Sequence, residues 1–257
     1  MIVDAFVRDL AVTALDVGVH SLRLLPVVVF SPFLGGPLLP PVARAALALA
    51  LGAAVRTAVG PGIYTGAPFL AIVGSEMALG VALAFASSLP VEAARGAGRL
   101  VDTLRGATLG ELHVAPIRQR ETAVGDLLAH WTVALGAWAG ADRLLVAALL
   151  DTFRTVPVGG ALPGDLRFQV AAAAGADLLA AALCIGAPAA AALLCADLAL
   201  SAAARLAPRS TPLDAAPPVR AALGLVAVAL PSAAIGGRLV EMAALAAGMV
   251  DRMAGGP

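Results

Sequence analysis

Residues 188–220 read PAAAALLCADLALSAAARLAPRSTPLDAAPPVR. The stretch is apolar from Pro188 onward except for Asp197, reaches Arg205 and Pro208, and crosses a proline-rich turn before a second apolar run begins at Val219. Two apolar helices joined by a short turn are typical of a hairpin in a membrane. A carboxylate inside such a helix is costly unless it finds a partner, so Asp197 is expected to contact another part of the protein or another subunit.

The composition of the whole chain is also typical of a membrane protein. Of 257 residues, 60% are apolar and only 13% are charged, and the mean hydropathy is +0.93. An ordinary soluble domain is roughly 45–50% apolar and about 25% charged. We therefore expect an integral membrane protein, or a subunit buried in an apolar assembly. The formal net charge of zero argues against a nucleic-acid partner.

Apolar segments of spanning length recur along the chain. They are Leu10–Phe30, Pro41–Val59, Ala67–Leu89, Ala123–Ala141, Val170–Ala204 and Val219–Val250. This pattern predicts an all-α polytopic membrane protein with about six long apolar helices, which pack as hairpins and are interrupted by proline and glycine. Pro188 and Pro231 are expected to kink the last two helices.

The longest run of helix-breaking residues lies between Pro157 and Gly164. Proline and glycine in such a run end a helix and favour turns. We therefore place a boundary here, which separates a larger N-terminal part, residues 1–165, from a C-terminal kinked hairpin, residues 166–257. Within the N-terminal part, the prolines and glycines between Pro32 and Pro41 predict a tight turn that opens the second helix.

Charged residues occur inside nearly every apolar segment. They include Asp16, His20, Arg23, Arg44, Arg56, Glu76, Asp177, Asp197, Arg238 and Glu241. Each charge at a bilayer centre costs about 2.5–3.5 kcal/mol, so much of the chain is expected to face protein instead of lipid. An alternative is a secondary transporter in which Glu76, Asp177 and Asp197 line an ion pathway. The spacing of Asp177 and Asp197 weakens this alternative, since it puts them on nearly opposite sides of a straight helix.

A long polar stretch, residues 103–122, separates two apolar segments and is either a solvated connection or a mobile element at a pathway. Just before it, Glu92, Arg95, Arg99 and Asp102 share one side of a helix that continues past Leu89. That side is either a solvated, ion-paired face or a docking face for a charged partner. Asp151 and Arg154, one turn apart, are expected to form an ion pair.

No catalytic, metal or cofactor motif accompanies these features. His20, His113 and His130 lack a second ligand at helical spacing. Cys184 and Cys195 stand eleven residues apart, too far along one helix for a disulfide, and are expected to pack as buried apolar groups. The sequence therefore predicts a protein that is not an enzyme and that holds no cofactor.

Three groups of residues resemble one family. Residues 140–160, GADRLLVAALLDTFRTVPVGG, are similar to a signature of the FliR/SctT (SpaR/YscT) export-apparatus proteins of type III secretion, in which a glycine, an apolar run, an aromatic residue and a proline–glycine ending follow in order. The other two groups are Pro188, Asp197, Arg205, Pro208 and Arg220, and Arg23, Pro26, Phe30, Pro40, Arg44, Glu76 and Gly80. The chain departs from the family pattern at Ala141 and Asp142, where a histidine is usual, at Thr152, and in lacking an Asp-Pro in the polar stretch.

The resemblance implies a structural and gating subunit of an export gate in the bacterial inner membrane, which forms part of the channel for unfolded substrates. Its partners would be two other small membrane proteins in several copies each, the export-gate switch protein and the large export-gate protein. Residues 1–165 would resemble the pore-forming partner and residues 166–257 the small partner. The polar stretch would supply a channel plug, with the candidate residues Gly106, Thr108, Leu109, Gly110, His113 and Pro116. The charges of Glu76, Asp177, Asp197 and Arg205 would contact neighbouring subunits.

Overall fold

A computed structural model describes residues 2–62, 64, 68–104, 122–158 and 164–206, together with 222, 226 and 237. The described chain is helical and contains no strand in these ranges. Its long helices are α1 (Ile2–Phe30), α2 (Pro41–Val59), α3 (Phe69–Leu104), α4 (Ala123–Trp138), α5 (Ala141–Thr155) and α6 (Gly164–Leu206). The predicted all-α class is confirmed.

The turn between α1 and α2 follows from its proline and glycine content. Two short 3₁₀ helices, Pro32–Leu34 and Gly36–Leu38, occupy it. Gly35 has a φ of +89°, a left-handed conformation that glycine adopts without steric cost. Pro40 then precedes α2 and Pro41 opens it, where the missing N–H of proline removes no helical hydrogen bond.

Several predicted segments coincide with helices, and two differ in extent. The third segment continues beyond Leu89 through Pro90 to Leu104, as the charges that follow it predict, and the fifth forms one long helix that runs through Pro188. The structure also adds α5, in a stretch that the sequence presented only as an apolar run between charges. The predicted sixth segment, Val219–Val250, lies outside the described residues except for isolated positions.

Four helical segments are long and apolar enough to cross a membrane: Phe6–Phe30, Pro41–Val59, Phe69–Leu104 and Leu179–Ala199. Helices α4 and α5 meet at an angle of 75° and together would make a fifth, broken span. Gly140, with a φ of +81°, lies at the corner between them. The described chain thus supplies four spans, or five with the bent pair.

The chain forms two compact units. Among the described residues, the first unit contains α1, α2, α3 up to Leu89, α5 and the beginning of α6. Its apolar core joins α1, α2, α3 and α5 through buried side chains that include Leu24, Val55, Leu83 and Phe153. Helices α1 and α2 approach closely, because a side chain at Gly52 would meet Ser21.

The second unit contains α3 from Pro90, most of α4 and α6 from Ala176 to its end. Its core is built from small and branched side chains such as Ala97, Val124 and Ile185. A Cβ atom at Gly98 would lie 2.4 Å from the backbone of Gly125, so α3 and α4 touch through their backbones. Small residues allow such close helix packing where the solvent is lipid.

The interpretation of the cysteines as buried is wrong for this chain, because Cys184 and Cys195 are both exposed. The buried side of α6 is formed by Ile185, Ala189 and Leu193, and the cysteines lie on another side of the same helix. An apolar helix in a membrane protein can present apolar residues all round, so composition did not reveal which side would be buried.

Candidate functional site

The first unit buries an arginine–glutamate pair between α1 and α3. Arg23 Nε donates a hydrogen bond of 2.7 Å to Glu76 Oε2, and Arg23 Nη2 donates one of 3.1 Å to Glu76 Oε1. The exposed fractions of the two side chains are 0% and 1%. Two parallel hydrogen bonds to one carboxylate fix both distance and orientation, so the pair holds α1 against α3 in one register.

Arg23 also binds the C-terminal end of α5. Its Nη1 and Nη2 atoms donate hydrogen bonds of 3.0 Å to the carbonyl oxygens of Thr152 and Val156. The guanidinium carbon lies 4.0 Å from the centre of the Phe153 ring. The carbonyl oxygens at the C-terminal end of a helix carry partial negative charge, and that of Thr152 accepts from Arg23 in addition to the N–H of Val156. A single cation thus joins three helices of the first unit.

A second buried cluster surrounds Asp16, about two turns earlier in α1. Its carboxylate accepts a 2.8 Å hydrogen bond from Arg56 Nε in the last turn of α2 and a 3.1 Å hydrogen bond from the N–H of Gly62. The hydroxyl of Tyr64 donates to the same carboxylate. Asp16 therefore ties the connection between α2 and α3 to the side of α1.

The surroundings of Tyr64 change the pKa of its hydroxyl group. Its partial burial and its hydrogen bond to the negative Asp16 carboxylate raise the pKa of Tyr64 well above its ordinary value, because both favour the neutral phenol. The hydroxyl consequently keeps its hydrogen and remains a donor to Asp16 at physiological pH.

His20 and Phe153 connect the two clusters. The His20 ring is stacked on Phe153 with centroids 5.7 Å apart, and Nδ1 lies 2.8 Å from the carbonyl oxygen of Asp16. Since a carbonyl can only accept, Nδ1 carries the hydrogen. The network of Asp16, His20, Arg23, Arg56 and Glu76, hereafter the α1 charge network, contains two carboxylates and two arginines whose formal charges cancel.

This arrangement is suited to holding helices together in a medium of low dielectric constant. Each buried carboxylate already accepts hydrogen bonds from an arginine of the same chain, and buried charges persist in proteins when they are paired in this way. An ion pathway would need carboxylates that exchange protons or ions with a passage. The α1 charge network instead uses its carboxylates as fixed acceptors.

In the second unit, a hydrogen bond joins the end of α3 to the start of α4, which are the two ends of segment 105–121. The fully buried carboxylate of Asp102 accepts a 2.8 Å hydrogen bond from the N–H of Val124. Thr122 caps the same helix end, as its hydroxyl accepts from the N–H of Gly125. These bonds satisfy donors that would otherwise be unpaired at the start of α4. The chain therefore leaves α3 and enters α4 at almost the same place.

This contact corrects one sequence interpretation of the face containing Glu92 and Asp102. Glu92 does pair with Arg95, and Arg99 is exposed, but Asp102 is buried. The face is therefore not uniformly solvated. Its final carboxylate is a buried cap for the next helix.

The predicted site residues fall into three groups. Glu76 is buried and bound to Arg23 of the same chain. On α6, Asp197 is half-buried and Arg205 is exposed. The side chain of Asp177 and the six plug candidates, Gly106, Thr108, Leu109, Gly110, His113 and Pro116, lie outside the described residues.

Sequence reasoning named Arg23 and Glu76 separately and did not pair them, and it missed the Asp16 cluster. The two partners of each pair are 53 and 40 residues apart, so helical spacing carries no signal for them. The sequence did carry one signal, the balance of charges. Each of α1, α2 and α3 has a charged residue within an apolar span, and burying opposite charges as a pair costs less than burying each of them alone.

Several apolar spans, with buried charges that are paired inside the first unit, define an all-helical, polytopic membrane protein. The family model described as "Bacterial export proteins, family 1" matches residues 15–244. The chain belongs to this family, which confirms the resemblance drawn from the three motif groups. It is a multi-pass protein of the bacterial inner membrane.

One curated relative is the "Secretion system apparatus protein SsaT" of Salmonella typhimurium strain LT2. The two sequences are 28% identical over 100 residues, which is 39% of this chain and 39% of the relative. The similarity to this relative thus spans well under half of either protein.

Proposed function

We propose that this protein is a structural and gating subunit of a type III secretion export gate and forms part of the channel for unfolded substrates. The observation that carries the proposal is the family match over residues 15–244. The similarity to a secretion system apparatus protein supports it. Its partners are two other small membrane proteins in several copies each, the export-gate switch protein and the large export-gate protein.

The proposal includes a role without catalysis. In the α1 charge network, Glu76 and Asp16 are occupied as hydrogen-bond acceptors of arginines. A general acid or base must be able to reach a substrate proton, and Glu76, at 1% exposure, cannot do so without breaking its ion pair. The same argument disfavours the secondary transporter, in which Glu76 would have to release Arg23 during each cycle.

Purification with and without the other export-gate proteins tests the proposal. We expect the chain to be recovered in a defined complex when they are present and to be poorly stable alone. A chain that is monodisperse and transports a solute by itself in liposomes would contradict the gate function and restore the transporter.

We also propose the division into a part resembling the pore-forming partner, residues 1–165, and a part resembling the small partner, residues 166–257. The two compact units follow spatial contacts and combine segments from both parts. The division therefore concerns similarity to partner subunits, and superposition of this chain on each partner in an assembled gate tests it.

Deleting residues 106–116 is expected to leave assembly intact and to make the membrane permeable to small solutes. Assembly should stay intact because the two ends of the segment are already close together, as Asp102 and Val124 are in contact. The six residues that remain between Leu104 and Thr122 can bridge so short a distance, because an extended chain spans about 3.3–3.6 Å per residue. Uptake of a small fluorescent dye by cells expressing the assembled gate measures the leak.

The matched control replaces residues 106–116 with a glycine–serine segment of equal length. It preserves loop length but removes the side chains, and we expect it to leak as the deletion does. A gate that assembles with the deletion yet remains as tight as the original would contradict the plug assignment.

Asp197→Leu is expected to reduce incorporation into the complex by about tenfold or more. Loss of one member of a charged contact at an interface costs roughly 2–5 kcal/mol, and tenfold corresponds to about 1.4 kcal/mol. Asp197→Asn keeps the size and an oxygen acceptor and should retain more of the incorporation. Co-purification yield measures both variants, and equal yields for Asp197→Leu and the original chain would exclude Asp197 as a subunit contact.

A further inference from the structure

A cavity of about 170 Å³ opens beside the α1 charge network. It is lined by Leu15, Val19, Tyr64, Phe69 and Ile72. Val19 and Ile72, at 2% and 4% exposure, form its floor, whereas Leu15, Phe69 and Tyr64 are partly exposed and form its rim. Apart from the Tyr64 hydroxyl, this lining offers only apolar groups, so a water molecule on the floor of the cavity would lack the two or more polar partners that it needs.

The cavity runs from the end of one apolar span towards the interior of two others. Arg56 lies in the last turn of α2, and it pairs with Asp16 of α1. Leu15 and Tyr64 are therefore at the level where α2 ends. Val19 and Ile72 lie further along α1 and α3, towards the level of Arg23 and Glu76. The end of α2 and the beginning of α3 therefore meet at the rim, and aromatic side chains such as Tyr64 are enriched where spans leave a membrane.

An ion pair lies beside the rim, because Asp16 accepts a hydrogen bond from the rim residue Tyr64 and also binds Arg56. In the Asp16–Arg56 pair, the Arg56 side chain is 28% exposed and the Asp16 side chain only 4%. The Asp16 carboxylate also accepts hydrogen bonds from Gly62 and Tyr64, so its negative charge is compensated by three donors. The described bonds of Arg56 use Nε and Nη2, so Nη1 is available for an anion that approaches from outside. Guanidinium groups bind phosphate oxygens with favourable geometry.

From these features we propose a phospholipid-binding site, in which the Arg56 guanidinium binds the headgroup phosphate and the cavity holds a segment of an acyl chain. The cation lies at the end of α2, and the apolar floor lies deeper in the span. Phosphate and hydrocarbon follow each other in the same order in a lipid leaflet. Filling the cavity gains van der Waals contacts for Val19 and Ile72 that a void lacks. An anionic phospholipid is favoured, because the exposed member of the ion pair is the cation.

Photocrosslinking of the full chain in bacterial inner-membrane vesicles tests this site. The probe is phosphatidylglycerol with a diazirine on one acyl chain, and the reference is phosphatidylcholine with the same acyl group. We expect crosslinks to peptides around Leu15 and Phe69, with phosphatidylglycerol labelled several-fold more strongly. Equal labelling throughout the exposed helical surface, with no enrichment at these peptides, would overturn the proposal.

Two kinds of variant test the binding of the acyl chain and the binding of the headgroup separately. Val19→Phe places a ring in the cavity and should reduce labelling at these peptides by about tenfold, and Ile72→Phe is the equivalent change from α3 should the first variant fold poorly. Arg56→Gln keeps a hydrogen-bond donor for Asp16 but removes the cation, and should abolish the preference for phosphatidylglycerol. Arg154→Gln, an exposed arginine paired with Asp151 elsewhere in the same unit, should change nothing.

The identity of the occupant is checked by placing benzoylphenylalanine at Leu15. A mass increase equal to one phospholipid supports the proposal. Capture of a protein instead, or undiminished lipid labelling in both phenylalanine variants, contradicts it.

Discussion

Replacing Glu76 with leucine should destabilise the protein by about 3–5 kcal/mol, the usual effect of leaving one member of a buried ion pair without its partner. Arg23 is fully buried and uses Nε and Nη2 to bind Glu76. In Glu76→Leu its positive charge stays in an apolar environment and keeps as described partners two carbonyl groups, the Thr152 hydroxyl and the Phe153 ring. We expect a large drop in the melting temperature of the chain purified in its complex and a lower yield from membranes.

The double variant Arg23→Met/Glu76→Leu distinguishes an unpaired charge from simple loss of contacts. Removing both charges should recover most of the stability, because apolar side chains of similar volume replace buried ion pairs at little cost. The recovery should be incomplete, since the carbonyl oxygen of Val156 also loses its donor. A double variant as unstable as Glu76→Leu would contradict this explanation.

The exposed pair of Asp151 and Arg154 provides the matched control. These side chains are 48% and 65% exposed, and their hydrogen bond measures 2.7 Å. Exposed ion pairs are worth roughly 0–1 kcal/mol, so Asp151→Leu should have a small effect on the melting temperature. A comparable loss in Asp151→Leu and Glu76→Leu would show that burial does not decide the cost.

Gly80→Ala is expected to be the second most damaging single change. A Cβ atom there would lie 2.3 Å from the carbonyl oxygen of Arg23 and 3.1 Å from Pro26. Because the first of these is a backbone atom, α1 and α3 must move apart, and overpacking of this kind costs about 1–3 kcal/mol or more. Glu76 is one turn before Gly80, so the same shift would strain its hydrogen bonds to Arg23.

Gly74→Ala is the control on the same helix. No atom lies within 4 Å of a Cβ built at Gly74, and both substitutions gain the same helix propensity, about 1 kcal/mol in a soluble helix. Thermal melting of the two variants in one detergent should therefore show a loss for Gly80→Ala and no loss for Gly74→Ala. Equal melting temperatures would mean that α1 and α3 are not in close contact at Gly80.

Much of the fold was predictable because its determinants are local. The opening of α2 at Pro41 follows from the geometry of proline, and the ion pair of Asp151 and Arg154 follows from spacing along one helix. The extension of α3 through Pro90 was inferred from four charges on one side. These features depend on neighbours within about one turn, so the sequence contains enough information to predict them.

The candidate site was less predictable. Glu76 was recognised as a charge that needs a partner, but another subunit was expected to provide it, whereas the structure pairs it with Arg23 of the same chain. The burial of Asp102 was not foreseen either, since its partner Val124 follows the long polar stretch. Each of these contacts depends on where two helices cross, which spacing along one helix does not specify.

The sequence by itself determined that the chain is helical, apolar enough for a membrane, and related to the bacterial export proteins, because composition, segment length and short motifs carry that information. Only the tertiary structure decided which charged side chains form pairs and which side of α6 is buried. The physical reason is that lipid and protein interior are both apolar. A helix rich in alanine and leucine therefore shows little periodicity between its two sides, and long-range charge pairing is settled only when the helices pack.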